Sequence, residues 1–267
     1  MEKLLVSSLD GMDDMDKSSQ ISGMPCVPHL DIGHSVLAIG YSLILDRSSP
    51  FPSLAVFRGG VPVLSHVWPG EPSRAPEWLA ETRDLLAAAH IPLDAVAAFV
   101  CGIGPGSFSG IRACLAAVSG WALPGKRPVY GVASAAAVAL AQAEALSVDR
   151  VTVIGDARRN RLWCVTYRVD AARACVRLDD GSVPTHTADD FRLVTAEALT
   201  QCVPGGTLVV SPDWERLAPT LQTAFGGAAR LVGQPVFPSA EAVGRLALAE
   251  PSVRRLEPSP IYLHPAV

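Results

Sequence analysis

The segment Cys101-Gly-Ile-Gly-Pro-Gly-Ser-Phe-Ser-Gly-Ile-Arg112 is the least ordinary stretch of this 267-residue chain and predicts a strand, a glycine-rich turn and the start of a helix. It follows the apolar run at residues 95–101, which predicts a central strand covered on both faces. Its glycines allow backbone angles that other residues avoid, and a helix is predicted from about Ser109. The start of a helix leaves N–H groups unpaired and can hold an anion. A tight turn that binds no ligand explains the same glycine pattern, so the anion site and the plain turn both stay open.

The elements on either side of this segment form a repeated order. Upstream, strands are predicted at residues 42–46, 54–57 and 61–68, followed by a helix that Pro76 opens. Downstream, a strand is predicted at residues 128–132, and Ser134 is predicted to cap an alanine-rich helix. In the second half, strands are predicted at 151–156, 162–169, 175–178 and 207–210 and helices near 195–202, 213–224 and 239–249. Two α/β domains built alike are therefore expected.

The composition is that of a compact globular protein, with 49% hydrophobic and 18% charged residues. The formal net charge of −4 gives no overall attraction for a nucleic-acid backbone. The basic residues cluster at Arg158, Arg159 and Arg161 and not elsewhere. If RNA is involved, another chain is expected to hold most of it.

Cysteine usage and hydropathy indicate the cytoplasm. The six cysteines include no Cys-x-x-Cys pair, and Cys101, Cys114 and Cys164 lie in apolar runs, where a reduced thiol behaves as a small hydrophobic group. No apolar run reaches the roughly 18 residues of a spanning helix, so no membrane partner is expected. Residues 1–35 are rich in Ser, Asp, Gly and Met and are predicted to be a disordered extension.

The glycine-rich segment also carries a resemblance to a known family. It resembles the signature Gly-Pro-Gly-Ser-Phe-Thr-Gly-x-Arg of the Gcp-like TsaB/YeaZ family, the dimerisation subunit of the bacterial complex that forms threonylcarbamoyladenosine in tRNA. The matching residues, here called the signature loop, are Gly104, Pro105, Gly106, Ser107, Phe108, Ser109, Gly110 and Arg112. Residues 43–56, 128–134, 154–163 and 260–263 resemble further family segments in the same order. The resemblance covers roughly residues 42–264 and departs from the pattern at Arg47, Pro72 and His264.

The resemblance implies a fold and a role. The fold is the actin/sugar-kinase/Hsp70-like (ASKHA) α/β fold of two ribonuclease-H-like domains, each βββαβα. After the extension, residues 36–133 would be the partner-binding domain, and residues 134–267 the second domain with a C-terminal helix and tail. The implied role is a non-catalytic scaffold or activator that forms a heterodimer with TsaD and, through that pair, meets the ATPase TsaE. The complex modifies the adenosine beside the anticodon, and tRNA is held mainly through the complex. A homodimer of the isolated chain stays open.

Two helices of the first domain are the expected partner surface. In the resembled family, the helices that correspond to residues 76–90 and 109–123 pack against a partner in a four-helix arrangement. The candidate interface residues are Trp78, Leu79, Leu85, Ile111, Leu115, Val118 and Trp121. The alternative for the two tryptophans is that they fill the chain's own core.

Asp46 and Asp156 end equivalent strands, where active members of the wider superfamily hold Mg-nucleotide. The alternative is that each caps a turn, and Pro50 and Pro52 favour it at Asp46 because they remove N–H donors from that loop. The main alternative function is an ATP-dependent enzyme of the same fold acting alone. No catalytic residue, no metal and no tightly bound cofactor are expected, and ATP or ADP at the partner interface stays open.

Other enzyme classes fit the sequence less well. The histidines include no His-x-x-x-His pair for a metal, and Phe108 occupies the nucleophile position of a serine-hydrolase elbow. A dinucleotide-binding fold needs an acid at the end of the next strand, which instead ends in Ala133 and Ser134.

Overall fold

The computed structural model describes residue 37 and residues 39–70, 77–227, 230–250 and 255–263. The predicted disordered extension at residues 1–35 lies outside the described residues, as do Pro72, Pro76 and His264. No helix in these described ranges is long and apolar enough to cross a membrane.

The first sheet has six strands and contains the segment that the sequence placed at its centre. Its strands are β1 (Tyr41–Asp46), β2 (Ser53–Arg58), β3 (Val61–Val67), β4 (Val96–Gly102), β5 (Val129–Val132) and β12 (Arg255–Leu256). They lie in the order β12-β5-β4-β1-β2-β3. Strands β1, β2 and β4 are buried along almost their whole length, because elements cover both faces of the sheet. The strand predicted at residues 95–101 is confirmed within one residue.

The second sheet repeats this topology. Its strands are β6 (Arg150–Arg158), β7 (Arg161–Asp170), β8 (Cys175–Leu178), β10 (Leu208–Val210) and β11 (Arg230–Leu231), with β9 (Arg192–Val194) paired to β7. The order β11-β10-β6-β7-β8 corresponds strand for strand to β5-β4-β1-β2-β3. In the first sheet β1 is antiparallel to β2 and parallel to β4, and in the second sheet β6 is likewise antiparallel to β7 and parallel to β10. The repeated element order predicted from the sequence is therefore confirmed.

The helices agree with the sequence except at one place. They are α1 (Glu77–Ala88), α2 (Phe108–Ala122), α3 (Ser134–Leu146), α4 (Leu199–Cys202), α5 (Trp214–Phe225) and α6 (Ala240–Ala249). The helix predicted near residues 195–202 is a single turn, α4, so its predicted length is wrong. The sequence does not predict the strands β9, β11 and β12, because each contains at most two apolar residues and so shows neither an apolar run nor an alternation.

The last helix among the described residues packs on the first sheet. Helix α6 lies against β1, β2 and β4, and its Gly244 faces the side chains of Ile44 and Phe57 so closely that a Cβ there would clash with the Phe57 ring. The backbone N–H of Ala240 donates to Oγ of Ser53 at 2.8 Å. Helix α3 contacts both α6 and the second sheet. One hydrophobic core therefore runs continuously from the first sheet to the second.

Candidate functional site

The candidate site lies where the parallel strands β1 and β4 end at the same edge of the first sheet. The loop after β1 and the signature loop after β4 pack directly against each other there. A Cβ on Gly106 would clash with the carbonyl oxygen of Ser48, and one on Gly110 would clash with that of Arg47. The N–H of Ser107 donates to the Ser48 carbonyl at 2.7 Å. Glycine is needed at both positions because two backbones are in contact.

The signature loop forms a tight turn, and several N–H groups in and beside it donate to other groups of the protein. Gly104 has φ +96°, a conformation that favours glycine. Oγ of Ser107 accepts from the N–H of Gly110 at 3.3 Å and caps α2, which therefore begins at Phe108. The N–H groups of Ile103 and Gly104 donate to the Val132 carbonyl and to Oγ of Ser134, both at 3.0 Å. These contacts favour the tight-turn interpretation over an anion site.

Asp46 is enclosed beneath this loop, with 1% of its surface exposed. Its Oδ1 accepts from the N–H and the hydroxyl of Ser48 at 2.8 and 2.7 Å, and its Oδ2 accepts from the hydroxyl of Ser134 at 2.6 Å. A Cβ on Gly102 would clash with Oδ2. Burial raises the pKa of the carboxyl, and the hydrogen bonds from Ser134 and Ser48 only partly oppose this. Asp46 thus caps its own turn and joins β1 to α3.

Ser134 has a different role from the one predicted. It was predicted to cap α3, but it is the first residue of that helix, and Ala133 occupies the cap position without a side-chain hydrogen bond. The Ser134 hydroxyl instead lies between the Asp46 carboxylate, to which it donates, and the N–H of Gly104, from which it accepts. The capping prediction is wrong because a buried acid 88 positions earlier in the chain takes the hydroxyl. Local sequence cannot reveal such a partner.

Asp156 occupies the equivalent position in the second sheet, and arginines surround it. Its Oδ2 lies 3.0 Å from a guanidinium nitrogen of Arg216, and its side chain is 15% exposed. Its Oδ1 accepts from the N–H of Arg158 at 2.6 Å, and its own N–H donates to Oδ2 of Asp213 at 2.8 Å. The sequence did not identify Asp213 or Arg216 as neighbours of this acid. The i,i+3 spacing of those two residues at the start of α5 was the one available signal.

The candidate interface residues divide into two groups. Trp78, Ile111 and Val118 are buried in the chain's own core, where they leave little area for another protein. Leu85, Leu115 and Trp121 are half-buried and Leu79 is 40% exposed. The ring centroids of Trp78 and Trp121 lie 6.3 Å apart, so α1 and α2 are in contact. The role of these residues in an interface stays a prediction.

A groove of about 820 Å³ lies along α1. It is mainly apolar at its walls, and the hydroxyl of Thr82 is buried beside it without a hydrogen-bond partner in the described part of the chain. Its lining includes Leu79, Leu86, His90, Ile91, Leu93 and Trp121. Two of the candidate interface residues, Leu79 and Trp121, thus contribute to one open concave surface.

The signature loop also meets the C-terminal segment that carries part of the family resemblance. The rings of Phe108 and Tyr262 lie 5.3 Å apart, and the Arg112 guanidinium lies 4.5 Å from the Phe108 ring centroid. The N–H of Ile261 donates to the Ile103 carbonyl at 3.0 Å. Segments that are distant in sequence therefore form one structural unit. Over the described residues, no group of three or more His, Cys, Asp or Glu side chains is placed to hold a metal ion.

Comparisons with known proteins agree with this geometry. The family model described as "TsaD: tRNA N6-adenosine threonylcarbamoyltransferase" matches residues 77–181. A crystal structure of an uncharacterised Pseudomonas aeruginosa protein with similarity to peptidase YeaZ is 25% identical, with a TM-score of 0.67 over 85% of this chain and 100% of that chain. YeaZ from Pseudomonas aeruginosa is 26% identical, with a TM-score of 0.63 over 79% of this chain and 91% of that chain. No curated protein sequence matches significantly. The predicted α/β fold class with two sheets is confirmed, and the fold is similar to that of these two YeaZ-type structures.

Proposed function

Because this chain is YeaZ-like and carries a segment that matches a tRNA-modification family model, we propose that it is a non-catalytic scaffold or activator subunit in tRNA modification. Its partner is a TsaD-type catalytic subunit, and the reaction is threonylcarbamoylation of the adenosine beside the anticodon. Through that pair the chain would also meet a TsaE-type ATPase. Any ATP or ADP would lie at the interface between subunits.

The enclosure of Asp46 is the observation that carries the proposal. A carboxylate that holds Mg-nucleotide needs free oxygen lone pairs that face an open cleft. At Asp46, both oxygens already accept hydrogen bonds from Ser48 and Ser134, and Gly102 lies against Oδ2. To bind a nucleotide there, the chain would have to break buried hydrogen bonds and separate two packed loops. The ATP-dependent enzyme is therefore the weaker alternative.

The groove along α1 supports the partnership. A concave, mainly apolar surface can bury a side chain of a partner, and exposed apolar patches are a feature of interaction sites. Leu79 and Trp121 line it at the edge of the α1–α2 pair, where the family resemblance places the partner. Their exposed fractions leave area that a second chain can bury, unlike Trp78, Ile111 and Val118.

Co-purification with a TsaD-type subunit from the same organism tests the proposal. We expect Leu79→Glu to reduce the recovered complex at least tenfold and to lower the yield of threonylcarbamoyladenosine in a reconstituted reaction, because a charge would be buried at the interface. Val183→Glu is the matched control, since Val183 is 39% exposed against 40% for Leu79 and lies in the other half of the chain. Equal recovery with both variants would contradict the assignment of this face, and no recovery of the wild-type pair would contradict the function.

A further inference from the structure

The hairpin between β6 and β7 has an unusual tip. Arg158, Arg159 and Asn160 all have positive φ, at +67°, +53° and +56°. The two central residues of a tight hairpin with this twist need positive φ, and Asn-Gly is the sequence that adopts it most easily. Here an arginine holds the first central position, where a Cβ makes the left-handed conformation unfavourable. Local stability does not explain this choice.

A second unfavourable feature lies beside the arginine at the positive-φ position. Arg158 and Arg161 are directly opposite each other in the β6–β7 register. Like charges at facing positions of antiparallel strands destabilise the pair, and opposite charges would stabilise it. Two separate features that lower stability thus occur within residues 158–161, and each of them involves an arginine side chain. Local conflicts of this kind concentrate at functional positions.

The charge at this tip is available to a ligand. Arg158 is 74% exposed, and its nearest acid oxygen, on Asp156, is 3.7 Å away. That carboxylate lies closer to Arg216 and accepts from the backbone of Arg158. Arg159 and Arg161 are exposed and form no ion pair with any other residue that the structure describes. The chain as a whole has a net charge of −4, so a general excess of basic residues does not account for the three arginines at this tip.

We propose that the arginine tip, defined as Arg158, Arg159 and Arg161, binds the phosphate backbone of RNA. The planar guanidinium pairs with phosphate through two parallel hydrogen bonds, and phosphate contacts position a nucleic acid without reading its sequence. The choice of tRNA as the RNA rests on the proposed function. The tip supplies a secondary contact that orients the substrate, while the catalytic subunit holds most of it.

The test uses the full chain, an unmodified tRNA transcript and fluorescence anisotropy over a series of salt concentrations. The triple variant Arg158→Gln, Arg159→Asn, Arg161→Gln should bind at least about tenfold more weakly at low salt. The slope of log affinity against log salt should flatten by about two, because each lost phosphate contact contributes about 0.7 to 0.9. The control variant Arg83→Gln, Lys126→Gln, Arg230→Gln changes the net charge equally at exposed positions elsewhere and should retain the wild-type slope.

The Tm of thermal unfolding distinguishes a specific loss of RNA binding from misfolding, because a misfolded variant would have a lower Tm. Because the triple variant removes both conflicts, its Tm should rise by about 2 °C while its RNA affinity falls. A lower Tm would remove the premise of the proposal, and unchanged RNA affinity would overturn the proposal itself. If the triple variant still binds RNA but no longer recovers the TsaD-type subunit, the tip binds an acidic protein surface instead. A wild-type chain that recovers that subunit but binds no RNA sinks this inference and leaves the proposed function intact.

Discussion

The hydroxyl of Ser134 donates a 2.6 Å hydrogen bond to Oδ2 of Asp46, a residue 88 positions earlier in the chain. Both groups are buried, and the same hydroxyl accepts from the N–H of Gly104. The end of β1, the signature loop and the start of α3 are therefore held together by one side chain. Its removal affects all three elements at once.

Replacement of Ser134 tests this linkage. Ser134→Ala leaves an oxygen of Asp46 and the N–H of Gly104 without their partner, and we expect a loss of about 1–3 kcal/mol in the free energy of unfolding. Urea denaturation measures it. Ser182→Ala is the matched control, because Ser182 makes a 2.6 Å hydrogen bond to Asp180 at an exposed position. Its effect should stay within about 0.5 kcal/mol, and an equal effect of both substitutions would show that the burial of the Ser134 contact has no energetic weight.

The ionisation of Asp46 makes a prediction about pH. Burial raises the pKa of this carboxyl above its ordinary value of 3.8, so the folded chain binds the proton more tightly than the unfolded chain. The stability that this group contributes is present below 3.8 and is lost as the pH rises through the folded-state pKa. Relative to Asp46→Asn, which cannot ionise, the wild type should therefore lose stability as the pH rises from 4 toward 7. Urea denaturation of both proteins across this range measures the difference. A difference that does not vary with pH would show that burial does not shift this group.

The close packing of Gly102 against the Asp46 carboxylate can be tested by comparing substitutions of two glycines. Gly102→Ala places a Cβ against the Asp46 carboxylate, and we expect a loss of about 1–3 kcal/mol in the free energy of unfolding. Gly120→Ala, in the exposed part of α2, has nothing within 4 Å and should stabilise the protein by about 0.5–1 kcal/mol. Opposite signs in thermal or urea denaturation are the expected outcome. A tolerated Gly102→Ala would mean that the Asp46 turn opens readily.

Nucleotide binding separates the two candidate functions. If Asp46 only caps its turn and Asp156 is matched by Arg216, the isolated chain should show no tight binding of Mg-ATP in isothermal titration. Addition of the catalytic subunit is the informative comparison, since any nucleotide is expected at the interface. Tight binding by the chain alone, abolished by Asp156→Ala, would favour the enzyme.

Much of this architecture was predictable because it depends on local patterns. The apolar runs at β1 and β4, the glycines of the signature loop and the order of strands and helices follow from neighbouring residues. The repeated order of elements predicted two α/β domains built alike, and the structure shows two sheets with corresponding strand orders. The basic cluster of Arg158, Arg159 and Arg161 is visible in the sequence, whereas the left-handed backbone conformation of Arg158 and Arg159 is visible only in the structure.

What the sequence did not reveal depends on residues that are far apart along the chain. Ser134 has a good capping side chain, but a distant acid takes it. Asp156 appears in the sequence as a strand-terminal acid, whereas Arg216 from a later helix lies against it. Trp78 fits an interface anchor by residue type, yet it packs beneath the guanidinium of Arg47, 4.4 Å from the ring centroid. Each of these contacts is fixed by tertiary packing, and apart from the i,i+3 spacing of Asp213 and Arg216, spacing along the chain provides no signal for them.

The return of α6 to the first sheet has a consequence for biosynthesis. Residues 240–249 are synthesised after β1, β2 and β4, so the apolar face of the first sheet on which α6 packs stays uncovered until those residues emerge from the ribosome. We therefore expect the first sheet to complete its packing only after residue 249 has been made, and a chain truncated before residue 240 to aggregate more readily than the full chain in light scattering.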